Sequence, residues 1–137
     1  MITTLITPDP IVIGTFADLV QSHDFGAVVI FSGNVRNNDG GKVVKTLTYE
    51  IHPSAERVLR EIVAEIAKNP ELGNVAVAHR YGQIPIGESA FVVAVSAVHR
   101  GPALTACSQL VEEVKARLPI WKHQLFADGS DEWVNSA

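Results

Sequence analysis

Two lysines flank a helix stop in Lys115-Ala116-Arg117-Leu118-Pro119-Ile120-Trp121-Lys122. The pattern predicts a helix that ends before Pro119 and an extended stretch after it. Lys115 falls four residues after Val111 and eight after Cys107, and Leu104 and Leu118 share its side, so it follows a largely apolar stripe. A lysine there either snorkels to solvent or reaches into a pocket. Lys122 lies past the break, where a turned chain can bring it to the same place; an exposed strand lysine has the same signature. Two ammonium groups held together suit an anionic substrate, and their repulsion tends to lower both pKa values. An amine so tuned can take and return protons.

Other residues could join this chemistry. At Val98-His99-Arg100-Gly101-Pro102 a buried strand gives way to a helix, whose free N–H groups and dipole favour an anion. Arg100 adds a two-pronged donor for phosphate or carboxylate, and His99 a group that titrates near neutrality. A surface arginine and a strand-end histidine would look the same. Arg36 stands at the end of the first strand, ahead of a glycine-rich loop, where ligand contact is common but so is simple solvation. Asn34 could add a hydrogen bond or merely serve the turn.

Several other readings fall away. The histidines at 23, 52, 79, 99 and 123 lack ligand spacing, so no structural zinc is expected. His79-Arg80 lies in an alternating strand, which should pack one side chain and expose the other. Cys107 has apolar neighbours and reads as a core thiol. Ser32-Gly33 and Gly40-Gly41 match no nucleotide-binding glycine pattern.

The elements that must position these residues follow from periodicity. After an irregular start, Thr15 could cap a short helix over 16–22. Residues 26–31 read as a buried strand, and Asn37-Asn38-Asp39-Gly40-Gly41 as a hairpin-like turn. Residues 43–51 alternate, with Leu47, Tyr49 and Ile51 on one face. Ser54 can cap a helix carrying Ala55, Val58, Leu59, Ile62, Val63 and Ile66 at helical spacing, ended by Asn69-Pro70. Strands follow at 75–81 and 90–98, then a second main helix opening on Pro102 and running to about Arg117, then an alternating strand over 121–126. No regular alternation of strand and helix appears. The class expected is α+β, with a mixed, mainly antiparallel sheet and two main helices, in one domain over 1–137.

Composition sets the bounds. The 137 residues are 47% hydrophobic and 19% charged, which predicts a globular fold. A net charge of −4 argues against a broad nucleic-acid surface, so the useful cations must be local. A single cysteine excludes an internal disulfide and fits a reducing compartment. No signal-peptide pattern opens the chain, and the longest apolar run, 90–98, is far below the ~20 residues of a membrane helix. A cytoplasmic protein is expected.

Taken in order, Gly26-Ala27-Val28-Val29-Ile30-Phe31-Ser32-Gly33-Asn34-Val35-Arg36, Tyr49-Glu50, His79-Arg80-Tyr81-Gly82, Gly87-Glu88, Ser96-Ala97-Val98-His99-Arg100 and Lys115 through Lys122 resemble the large, catalytic subunit family of molybdopterin synthase. The resemblance implies an α/β-hammerhead-type fold and a homodimer, each copy binding a small ubiquitin-like sulfur-carrier subunit in a heterotetramer. It implies that the carrier's Gly-Gly tail enters a pocket as a thiocarboxylate. The substrate would be cyclic pyranopterin monophosphate, which gains two sulfurs and becomes the dithiolene of molybdopterin. No cofactor is implied. The family's substrate contacts fall on Asn34, Val35, Arg36, His99, Arg100, Lys115, Lys122, His123 and Gln124, and Phe31 matches a pocket-lining residue. Lys115 is expected as the main acid/base residue, with Lys122 essential beside it. Many relatives carry lysine in place of Asn34 and glutamate in place of Gln124. The competing expectation is a non-catalytic module that binds the carrier without turnover; a phosphate-ester hydrolase would need a metal cluster or nucleophile–base pair that the sequence does not suggest.

Overall fold

A computed structural model describes residues 1–137. Nine strands and three helices follow the chain as β1 (Ile2–Thr7), α1 (Ile13–Val20), β2 (Ala27–Asn34), β3 (Asn38–Asp39), β4 (Lys42–Ile51), α2 (Ala55–Ala67), β5 (Leu72–Arg80), β6 (Gly82–Ile84), β7 (Ser89–Ala97), α3 (Arg100–Arg117), β8 (Ile120–Phe126) and β9 (Asp131–Val134). The α+β class is as expected, and the sheets are mixed but mainly antiparallel. One sheet runs β1-β5-β7-β2; the other runs β3-β4-β8-β9, with β6 also paired to β4. Only β1 and β5 run parallel.

The first sheet is covered on both faces. Strand β7 is buried at all nine positions, which is why its sequence shows no alternation. Helices α2 and α3 cover one face. Their Leu59, Ile62, Val63, Leu110 and Val114 interlock with Val75, Val77, Val93 and Val95 in the main core. Helix α1 covers the other face, setting Phe16 and Val20 against Ala76, Ala78, Val92 and Ala94. Fully burying one such leucine or valine is worth about 1.5–3 kcal/mol.

Several sequence expectations shift here. The first residues are not irregular: Ile2–Thr7 form an edge strand paired in register with 75–80. That pairing is tertiary, and the short Ile-Thr-Thr-Leu-Ile-Thr run carries little signal without it. Helix α1 starts at Ile13, earlier than Thr15 suggested, and its cap position, Val12, makes no side-chain bond. Ser54 precedes α2 but does not cap it with its hydroxyl; Oγ instead donates to His52 Nδ1 at 2.8 Å. Helix α3 begins at Arg100, so Pro102 lies within its first turn, where a missing N–H costs nothing.

The inward line of α3 also differs. Ala103, Ala106, Cys107, Leu110, Val114 and Leu118 are buried, whereas Leu104 is 54% exposed. Lys115 therefore lies one step off the buried line, at the edge of the core. His79 and Arg80 are both buried. The expected exposure of one fails because β5 is covered on both faces and Arg80 ends in an ion pair with Glu88 at 2.8 Å.

Candidate active site

A cleft of ≈ 210 Å³ opens where the two sheets meet the carboxyl end of α3. Its cations come from three stretches. Arg36 follows β2, Lys115 lies in the last turn of α3, and Lys122 lies on β8 beyond the Pro119 turn. The helix stop does what its sequence suggested and turns both lysines toward one hollow. The hollow is at the carboxyl end of α3, not at its amino end, so the helix dipole there favours the ammonium groups rather than an anion.

Lys115 is the perturbed amine. Its Nζ donates to the Ala137 carbonyl oxygen at 3.0 Å and lies 5.9 Å from the centroid of the Phe91 ring. Partial burial holds its pKa below the ordinary lysine value. The charge of Lys122 lowers it further, and Glu112 pulls the other way. The amine thus sits between an apolar wall and a second cation.

The floor is aromatic. Tyr49 and Phe91 line the cleft, and the His79 ring lies behind them, 4.8 Å and 5.4 Å from their centroids. Burial pushes the His79 pKa down to about 4; its bond to the Arg80 carbonyl opposes this and the Lys115 charge adds to it. His79 is therefore neutral at pH 7. Its Nδ1 is 2.8 Å from that carbonyl, which can only accept, so Nδ1 carries the proton. Its Nε2 is a buried lone pair without a partner. Burial also raises the Tyr49 hydroxyl to about 12 and the Cys107 thiol above its usual value, so neither is a ready anion.

The rim is built by the loop after β2. Val35 is buried and strapped to the turn before β7: its N–H donates to the Glu88 carbonyl at 3.0 Å, and Gly87 N–H donates to its own carbonyl at 2.8 Å. The buried Arg80 holds Glu88 from below. This strap fixes the backbone on either side of Asn34 and Arg36. Ser32 Oγ donates to Asn34 Oδ1 at 2.7 Å. Asp39 faces Arg36 Nη2 at 3.5 Å and accepts from Gln124 Nε2 at 2.6 Å.

Of the residues expected at the site, Asn34, Val35, Arg36, Lys115, Lys122 and Gln124 line the cleft together. Four do not. Phe31 lies behind the wall, edge-on to Phe91 with centroids 5.7 Å apart. His123 points to the opposite face of β8, stacked on Trp133 at 4.4 Å and bonded to Asp131 at 3.0 Å, because strand neighbours alternate. His99 and Arg100 stand at the far end of α3, 15 residues before Lys115, or about 22 Å along the axis. Asp39, Tyr49, Phe91 and His79 were not expected there. Asp39 read only as a turn residue; Tyr49 and His79 stood among the motifs of the resemblance without a site role, and Phe91 carried no signal beyond that of a buried strand position.

The family model described as MoaE protein matches residues 6–117. The molybdopterin synthase catalytic subunit of Arabidopsis thaliana is 40% identical over 115 residues, which are 83% of this chain and 58% of that protein. The chain thus spans little more than half the length of that relative. Among solved structures, molybdopterin synthase from Staphylococcus aureus superposes with a TM-score of 0.85 at 34% identity, covering 94% of each chain. A chain of the complex between subunits 1 and 2 of molybdopterin-converting factor from Helicobacter pylori 26695 gives a TM-score of 0.73. At 22% identity over 98% of this chain and 88% of that one, it bears on the fold alone.

Proposed function

This chain belongs to the MoaE protein family, and on that premise we propose that it is the catalytic subunit of a molybdopterin synthase. In this reading it transfers sulfur from the thiocarboxylated Gly-Gly end of a small ubiquitin-like carrier to cyclic pyranopterin monophosphate. The observation that carries the proposal is the convergence of Lys115, Lys122 and Arg36 on one cleft in a chain whose net charge is −4. A cyclic phosphate and a thiocarboxylate repel each other. Local cations beside an apolar wall are what their encounter needs.

The roles divide by position. Arg36, exposed on the rim, suits the phosphate, since a guanidinium can bond two of its oxygens at once. Lys122 adds a second positive charge within the cleft and lowers the pKa of Lys115. Lys115 is the proton carrier: its amine loses a proton more readily than a solvated lysine and regains it as charge changes on the substrate.

The direct test combines the chain with thiocarboxylated carrier and cyclic pyranopterin monophosphate and looks for dithiolene product. Product is expected from the wild type. Lys115→Ala should lose almost all conversion while still binding the carrier. Near-normal turnover by that variant sinks the proton-carrying role, and carrier binding without any wild-type product leaves only a binding module.

A further inference from the structure

Asp39 gives its two carboxylate oxygens to different partners. Oδ2 accepts from the Gln124 amide at 2.6 Å, and Oδ1 faces Arg36 Nη2 at 3.5 Å. The two partners are unequal. Gln124 is 3% exposed on β8, so packing holds its amide in place. The Arg36 side chain is 76% exposed on the rim. An exposed ion pair three residues apart contributes little when both side chains must be ordered to make it. Here the carboxylate is already ordered by a buried donor, and only the guanidinium has freedom to lose.

The guanidinium is a planar fork of five N–H donors. Asp39 meets it only as an ion pair at Nη2, 3.5 Å away, which leaves the N–H groups of Nε and Nη1 for an oxyanion. We propose that Asp39 is a positioning residue of this cleft: held by Gln124, it orients Arg36 so that the remaining donors meet the phosphate of the substrate. The inference rests on the proposed substrate class and deepens it. A carboxylate near an anion site also repels its ligand. At the open mouth water and salt screen that repulsion, and the ordering of a long, exposed side chain outweighs it.

The test is a double-mutant cycle on the full chain, read as the dissociation constant for inorganic phosphate followed by NMR shifts. Asp39→Ala should weaken binding by about 1.5- to 5-fold, the range for one charged contact at a surface. In an Arg36→Ala background the same substitution should change nothing. Gln124→Leu removes the buried donor that holds Asp39 without adding a charge and should weaken binding in the same range, again only while Arg36 is present. Tighter binding by Asp39→Ala shows a merely repelling charge and overturns the proposal. So does an equal loss in the Arg36→Ala background, which marks a general disturbance of the hairpin, and so does a wild type that binds no phosphate. The sulfur-transfer assay separates the two ideas. Coupling without dithiolene product leaves Asp39 its role and removes the enzyme; product without coupling does the reverse.

Discussion

At the scale of single residues, two buried or half-buried bases carry the testable chemistry. Lys115 has its pKa lowered first by burial and then by Lys122. If the neutral amine is the working form, single-turnover conversion rises with pH and levels off below the ordinary lysine range. Lys122→Ala removes one of the two lowering effects, so the rising limb should move to higher pH in addition to any loss of rate. An unmoved limb rules out Lys115 as its source. His79 makes the opposite kind of prediction, about stability. Its folded pKa is about 4 against 6.5 for the free side chain. Between those values the unfolded chain holds the extra proton, so acid favours unfolding. Stability should fall by something on the order of 3 kcal/mol as pH drops from about 7 to 4. His79→Phe keeps a ring between Tyr49 and Phe91 and should flatten that part of the dependence. Urea titrations at a series of pH values provide the check.

Among the elements, the β3–β4 hairpin matters most to the cleft. Gly40 and Gly41 have φ of +58° and +81°, the pair of left-handed residues that closes a two-residue turn between twisted strands. Asn38 pairs with Val43 and Asp39 with Lys42 across it. A side chain at Gly41 would strain this backbone by about 1–2 kcal/mol. Gly41→Val is expected to lose that much in chemical unfolding and to weaken phosphate binding as Asp39 shifts. Full stability in this variant would mean the turn can adopt another form. The sequence marks the turn clearly, because Asn, Asp and Gly there have a steric reason. It also marks the two long helices and the break at Pro119, although only in α2 does the apolar spacing match the buried face; in α3 the buried line runs through small residues, Ala103 and Ala106, beside Cys107 and Leu110. Strand β1 was illegible since only its pairing with β5 makes it a strand. The strap from Val35 to residues 87 and 88 is built of backbone groups, which leave no trace in residue identity.

For the whole molecule, the separation of cations along α3 sets the problem. His99 and Arg100 belong to the substrate contacts that the family resemblance implies, yet about 22 Å of helix parts them from Lys115. A homodimer resolves this if the amino end of one α3 meets the cleft of the other copy. Subunit mixing tests it. Lys115→Ala and Arg100→Ala variants, each nearly inactive in sulfur transfer, should recover activity when refolded together, because one cleft in the mixed dimer has both groups intact. No recovery from mixed dimers places Arg100 outside the site.

The sequence alone determined the local features of this protein. It showed local cations on an acidic chain, two lysines on either side of a proline stop, and an α+β set of elements. Those follow from residue type and period, which are local properties. The tertiary structure decided which cations share a space. Arg36, Lys115 and Lys122 meet because both sheets and the end of α3 line one cleft, while His99, Arg100 and His123 face elsewhere. It also brought Asp39 to the cleft and set His79 behind its aromatic wall. Proximity between distant stretches arises from how strands pair and helices pack, and one strand position of difference turns a side chain to the opposite face.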